Sequence, residues 1–549
     1  MNRLDPQKVL SALNLPAAWA ARERYVIVLG GMSDLAAMLV IFRAWREDRH
    51  RPRCLHFICS VPSWLPYDGW LASAHQQLPD VSGHDGVSAL ALGWPVDVPG
   101  VQRTELDGHA VTLTWCLGAQ SKPDMLGVPI DDVLSSGDPN FSPDRSLAGR
   151  SEQDRSNDPC QVQRQADSHP WSWAARAPSL RQALVVGAGF AGMGVAHSLA
   201  RRGWRVRVLD QAWQKSGENL HTAHLAAALT PIASKDDNAR ARLSRAGTLC
   251  AHQRWRHLDE SIVSRCGALQ LQRMSGRTKP QDEVVEALGF GHQWISHVTA
   301  EHASDLAGMR LSAGGIWYPF GCVVRPGLFL DALSQTGGVE VVSFDVHQVR
   351  HEHGRWQAVN REGLTVDAPL MVMANAGAIR VVLQNSGLWP QQGRLSQMHA
   401  LAGQITMIPT QWLGGGPRCI VGGDGYVLPE VQGWCVSGGT YVRGADRADI
   451  TEKGVQENLD RAHALLGLTN ESLHFKQAGL PGWAGWRAVL PGRLPVVGPL
   501  EGHDGLWVAT GYASRGLTWS SLAGELIAGF LEVEPLLLED CLLNEIKLI

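Results

Sequence analysis

Residues 183–210 read ALVVGAGFAGMGVAHSLARRGWRVRVLD. A short aliphatic run, Ala183 to Val186, leads straight into Gly187-Ala188-Gly189-Phe190-Ala191-Gly192. A helix-like stretch follows and is closed by Gly203, and a second strand-like run from Trp204 to Leu209 ends on Asp210. Each glycine has a separate task. Gly187 permits a tight turn, Gly189 lets backbone approach a pyrophosphate, and Gly192 lets helix and strand pack closely. The helix start offers unpaired N–H groups and the positive end of a dipole. Asp210 stands where a carboxylate can take ribose hydroxyls, which disfavours a 2′-phosphate on the ligand. The order strand, glycines, helix, strand, acid predicts an adenine-dinucleotide site, with FAD and NAD both compatible.

The far end of the chain separates those two. LWVATGYASRGLTWSSLAGELIAGFL (506–531) reads as a strand, a glycine turn and a helix, with Gly511 and Gly516 flanking Ser514, Arg515 and then Leu517. VMANAGAI (372–379) reads as another strand entering a small-residue turn, at Ala374 and Asn375. The first resembles the C-terminal flavin-contacting segment of FAD oxidases, where a helix dipole stabilises negative charge on the reduced ring, and the second resembles the return segment of the same fold, so the resemblance implies a flavin.

At these residues the chain resembles the D-amino-acid-oxidase and glycine-oxidase superfamily. Within it, the chain is most similar to the bifunctional tRNA 5-methylaminomethyl-2-thiouridine biosynthesis family. The resemblance spans 180–531 and includes SGENLHTAHLAAALTPIASKDDNARARLS (216–244), YPFGCVVRPGLF (318–329), DGYVLPE (424–430), GGTYVRGAD (438–446), GWRAVLPGRLPVVG (485–498) and GYASRGL (511–517). It implies FAD as cofactor, with Gln211, Ser216 and Val346 added to the cofactor-binding residues above. It also implies a reaction: oxidation of an amine bearing a carboxymethyl group, here 5-carboxymethylaminomethyl-uridine at the tRNA wobble position, with release of glyoxylate. Such a substrate needs a cation for its carboxylate, and guanidinium suits bidentate binding. Arg487, eight residues before Pro495, matches the family arginine. Arg443 is the second candidate, and Tyr426 and Tyr441 are candidates to line or close the pocket. Where the family often carries an acid, this chain has Gly492. A small-molecule glycine or N-alkyl-glycine oxidase, and a non-catalytic FAD-containing tRNA-binding protein, are the alternatives.

The N-terminal zone has strand-like YVIVLG (25–30), CLHFIC (54–59) and AVTLTWCL (110–117), with helix-like LAAMLVIFRAWRED (35–48) after the first, a βαβ beginning. It resembles the start of the same family's methyltransferase domain. The loop Gly30-Gly31-Met32-Ser33-Asp34 keeps only the first glycines, however. Ala119 replaces an expected acid, and SSGDPNFSPD (135–144) is a remnant of the catalytic strand, so methyl transfer is expected to be lost and S-adenosylmethionine is not expected as a ligand. Residues 135–178, rich in Ser, Asp, Arg, Gln and Pro, read as a linker.

The expected architecture is therefore α/β: a truncated methyltransferase-like module (1–134), a linker (135–178) and an FAD-dependent oxidoreductase (179–549). Its Rossmann-like FAD-binding domain carries an inserted α+β substrate domain with an antiparallel sheet. With 549 residues, 44% hydrophobic and 19% charged and a net charge of −4, nothing global advertises nucleic acid. Arg240, Arg242, Arg245, Arg254 and Arg256 form a local basic stretch, read equally as a tRNA contact and as a solvated helix face. The ten cysteines include no CxxC pair and read as buried thiols; no metal site is expected. No apolar run approaches a membrane span and the N-terminus lacks an apolar leader core, so a cytoplasmic location is expected.

Overall fold

The computed structural model describes residues 3–118, 122–123, 126–134, 171, 180–213, 223–272, 280–468 and 479–548. The chain divides into two compact units. One comprises Met1–Arg176 with Ala528–Asn544, the other Ala177–Ile527 with Glu545–Ile549. Ala119, 135–144 and Ser216 lie outside the described residues.

In the first unit the three expected strands form as Arg24–Leu29, Cys54–Val61 and Val111–Leu117, joined in parallel register. Their Val, Ile and Leu side chains are buried on both faces, as a covered parallel sheet requires. Helix Leu35–Glu47 covers one face with Leu35, Met38, Leu39 and Phe42. Two strands went unread in the sequence. Gly100–Asp107 pairs antiparallel with Val111–Leu117, and Asp132–Leu134 pairs in parallel with Arg24–Leu29. The C-terminal segment belongs to this unit through charge. Arg103, on the 100–107 strand, pairs with Glu534 at 3.3 Å, both nearly inaccessible, and Arg53 pairs with Glu532.

The second unit is built on a six-stranded sheet in the order Val339–Ser343, Arg205–Asp210, Gln182–Val186, Leu370–Met373, Leu506–Thr510, Val496–Pro499. All pairings are parallel except the last. The two glycine turns and the 374–378 turn follow three adjacent parallel strands, so all emerge at the carboxyl edge, where open α/β sheets bind ligands. The insertions build an eight-stranded sheet that includes His399–Pro409 and Gly482–Val489. It is antiparallel but for one pairing, Ala268–Leu271 with Ile420–Gly423.

The helices Phe190–Ala200, Ala239–Trp255 and Gly516–Leu531 approach to backbone contact. A Cβ on Gly194 would overlap the Ser520 carbonyl, one on Gly247 the Thr518 carbonyl, and one on Gly524 the Gly194 carbonyl. At the same crossing Glu525 accepts hydrogen bonds from Arg202 at 2.9 and 3.2 Å and from Arg254 at 3.0 Å. The basic stretch is thereby corrected. Arg245 is also buried, in a fork on Asp237 at 2.8 and 2.9 Å, so this helix is an interior element and not a solvated basic face.

Two histidines in these helices are held neutral. Burial pushes His197 down to about 3 and His252 down to about 4. His197 Nδ1 meets the Thr336 hydroxyl at 2.9 Å, and His252 Nε2 donates to the Phe320 carbonyl at 2.8 Å. In the unfolded chain both titrate near pH ~6.5. Their contribution is complete above that pH and is lost as pH falls toward the folded values, because only the unfolded chain then takes up protons. We expect stability to drop below about pH 6.5, by up to about 1.4 kcal/mol per pH unit for each histidine. Urea unfolding between about pH 4.5 and 7 checks this, and His252→Gln should flatten the profile.

Candidate functional site

Strand Gln182–Val186 ends at Gly187, whose φ of +103° only glycine adopts cheaply. A Cβ there would also stand 2.8 Å from the Ala374 carbonyl and 2.9 Å from Asn375 Cα. Gly189 caps the helix Phe190–Ala200, and a Cβ on Gly192 would overlap the Gly187 carbonyl oxygen. Asp210 fixes this loop: its carboxylate accepts from the Ala188 N–H at 2.7 Å and the Ala212 N–H at 2.8 Å.

The C-terminal turn closes on the same place. A Cβ on Gly516 would stand 2.9 Å from the Phe190 ring, and Ser520 donates to the Phe190 carbonyl at 2.7 Å. Thr510 donates to Ala376 at 3.1 Å, which joins the 506–510 strand end to the 374–378 turn. The structure therefore gathers Gly187, Gly189, Phe190, Ala191, Gly192, Asp210, Ala374, Asn375, Gly511, Gly516 and Leu517 around one sheet edge. Gln211 and Ser514 lie at its exposed margin, and Val346 belongs to the core beneath, with Val186 and Leu209.

These residues fit FAD. The backbone cradle is bare of side chains where Gly187 and Gly192 stand. Two buried polar atoms beside it, Asn375 Oδ1 and the Tyr512 hydroxyl, have no hydrogen-bond partner among the described residues. Buried groups of this kind cost free energy unless something else satisfies them. The N–H groups at the two helix starts are further donors placed for an anionic ligand. Gly192→Ala should push strand and helix apart at a cost of about 1–3 kcal/mol, lowering FAD affinity roughly 5- to 150-fold. Equilibrium flavin titration of the variant, with circular dichroism as a folding control, checks this.

The arginine candidates separate by position. Arg487 lies on strand Gly482–Val489 opposite Leu401. Its guanidinium rests over Gly403, where any Cβ would collide with it, and is 3.2 Å from the position a Cβ would take on Gly439. Nη1 donates to the Thr440 carbonyl at 3.2 Å, and Cζ stands 4.7 Å above the Tyr441 ring. Tyr426 lies close by. Burial pushes its phenol up to about 12, and the Arg487 charge opposes that rise. Arg443, two residues past Tyr441, is exposed, with no ion pair or hydrogen bond among the described residues. Arg515, read in the sequence among the cofactor-binding residues, belongs here, and so does Tyr318, which the sequence did not single out. Arg515 Nη1 donates to the Thr230 carbonyl at 2.6 Å, and burial, with Arg240 next, lowers it to about 10. Tyr318, buried beside Arg515, is likewise raised by burial. Among the described residues no carboxylate pairs with Arg240, Arg487, Arg493 or Arg515.

The family described as FAD dependent oxidoreductase matches residues 182–529. Glycine oxidase from Geobacillus kaustophilus superposes with a TM-score of 0.52 at 19% identity, covering 67% of this chain and 98% of its own. Iminodiacetate oxidase from Chelativorans sp. does so at 0.52 and 22%, with the same coverage. Both likenesses concern the fold. Similarity to tRNA 5-methylaminomethyl-2-thiouridine biosynthesis bifunctional proteins is longer. It reaches 30% identity with the one from Azoarcus sp. and 31% with that from Ralstonia nicotianae, each over 96% of this chain and 90% of the relative. The chain is an FAD-dependent oxidoreductase and belongs to the family of tRNA 5-methylaminomethyl-2-thiouridine biosynthesis bifunctional proteins.

Proposed function

We propose that this chain removes the carboxymethyl group of 5-carboxymethylaminomethyl-(2-thio)uridine at the wobble position of tRNA, in the cytoplasm, leaving the aminomethyl nucleoside and glyoxylate. The observation that carries this is Arg487: a guanidinium free of any described carboxylate, set over two glycines and beside two tyrosines. It has the geometry to hold the substrate carboxylate in a fork. Holding that carboxylate fixes the adjacent CH2, whose hydride must leave. FAD supplies the two-electron acceptor. The resulting substrate imine takes up water and breaks its C–N bond. Tyr426, kept protonated by burial, can donate a hydrogen bond to the bound carboxylate. Gly187, Gly189, Phe190, Ala191, Gly192, Asp210, Ala374, Asn375, Gly511, Gly516 and Leu517 are the proposed cofactor-binding residues.

For the N-terminal part we propose a truncated methyltransferase-like module (1–134) without methyl-transfer activity, then the linker (135–178) and the oxidoreductase (179–549). The Gly30–Asp34 loop supports this. Asp34 is buried and its carboxylate accepts the Gly31 N–H at 3.2 Å, so a donor that an adenosylmethionine site needs is used internally. No described helix is long and apolar enough to cross a membrane.

Mass analysis of wobble nucleosides from a strain lacking this chain tests the reading. The carboxymethylaminomethyl form should accumulate, and unchanged levels would sink the proposal. Bleaching of the purified flavoprotein by free glycine or sarcosine, and not by modified tRNA, would point instead to a small-molecule oxidase.

A further inference from the structure

We propose that Arg240 and Arg493, backed by Arg515, form a second anion subsite next to the Arg487 pocket, and that it takes a backbone phosphate of the polynucleotide carrying the substrate amine. The inference rests on the tRNA reading above and deepens it.

Contacts around the 511–515 turn bring the segments that carry these residues together. The Ala513 N–H donates to the Ala488 carbonyl at 3.0 Å, tying the 511–515 turn to the strand that carries Arg487. A Cβ on Gly511 would collide with the Leu490 side chain, and Leu490 opens the turn that ends at Arg493. On its other side the 511–515 turn is held by Arg515 on Thr230, in the segment leading to the helix Ala239–Trp255. Arg240 stands in the first turn of that helix, half-buried, and Arg493 is exposed at the end of its turn.

The electrostatics of this arrangement are unfavourable as they stand. Helix starts favour acids, yet this first turn contains none. The two acids just before it are engaged elsewhere, Asp237 by the Arg245 fork and Asp236 by the Asn238 amide at 3.1 Å. Burial, and next the Arg493 charge, make Arg240 less basic, and burial, and next the Arg240 charge, do the same to Arg515. A phosphate shared by Arg240 and Arg493 would relieve that repulsion. The substrate carboxylate, at Arg487, already has its own cation. The other obligatory anion of a nucleotide substrate is its phosphodiester, which stays charged at every working pH and accepts guanidinium forks.

The test uses the full FAD-loaded chain, Arg240→Gln and Arg493→Gln, and two substrates. One is an anticodon stem-loop carrying the carboxymethylaminomethyl-uridine, the other the free modified nucleoside, which has no phosphate. The ratio of kcat/KM for stem-loop over nucleoside should fall about tenfold or more in each variant, and Arg240→Lys should recover part of it. Independently of turnover, the slope of log affinity against log salt for the stem-loop should decrease by about 0.7 for each arginine lost. An unchanged ratio with an unchanged slope overturns the subsite. Loss of flavin from the variants would assign the arginines to the cofactor's pyrophosphate and overturn it equally. If the wild-type chain oxidises neither substrate, the functional reading fails, and the salt series still decides the subsite.

Discussion

Arg487→Ala lowers kcat/KM for the carboxymethylated amine by roughly 10²- to 10³-fold, the loss of about 3–4 kcal/mol of transition-state stabilisation. The size follows from the surroundings. Gly403 and Gly439 leave the guanidinium room to lie flat, the Thr440 carbonyl fixes one edge, and Tyr441 supports its face. The free edge is then pre-organised for a carboxylate, and alanine leaves that anion facing a cavity without a cation. Arg487→Lys keeps the charge and loses the planar fork, so an intermediate loss of about 10- to 100-fold is expected. Arg443→Ala should cost far less, since that side chain is exposed. Stopped-flow flavin reduction with the substrate and with its carboxamide analogue separates the causes. The wild type should strongly prefer the carboxylate, and Arg487→Ala should lose that preference. Equal losses on both substrates would mean that Arg487 only maintains the sheet.

The two glycine turns were legible because each glycine is demanded by local geometry: Gly187 by its positive φ, Gly192 and Gly516 by close approach. Local demands of that kind are written in consecutive residues. The arginines were harder, because what a guanidinium does depends on partners remote in sequence. Arg254 finds Glu525 across 271 positions, and Arg103 finds Glu534 across 431. A run of arginines at helical spacing thus looked like a basic surface although two of its members are buried in ion pairs. The 100–107 strand, GVQRTELD, escaped notice for the same reason, since its polar residues are satisfied only within the folded unit. Arg487 and Arg443 were both visible as candidates. Ranking them needed the sheet, which puts Gly403 under one and leaves the other exposed.

Glu525→Ala destabilises the oxidoreductase unit by about 3–5 kcal/mol, because two buried guanidinium groups then lose the carboxylate they share. The side chains of Arg202, Arg254 and Glu525 are 2%, 5% and 0% exposed, so water cannot substitute for the missing carboxylate. A loss of that size is a large share of the ~5–15 kcal/mol that holds a typical domain folded. Glu525→Gln keeps the shape but not the charge, and should recover only part of it. Replacing all three residues together by apolar side chains of similar volume should cost far less than the single change, since burying an ion triad gains little over good packing. The triad's contribution is therefore to position. The contacts through Gly194, Gly247 and Gly524 let the three helices slide close but offer few side chains to set their register. Glu525 lies on the same helix as Gly516, at the turn that meets Phe190. Slippage at Glu525 would consequently displace the cofactor-binding turn, and flavin should leave Glu525→Ala at a lower temperature than it leaves the wild type. Thermal release followed by flavin fluorescence, alongside urea unfolding, measures both effects. If Glu525→Ala unfolds within about 1 kcal/mol of the wild type, the helices are held by apolar packing alone and the triad is incidental.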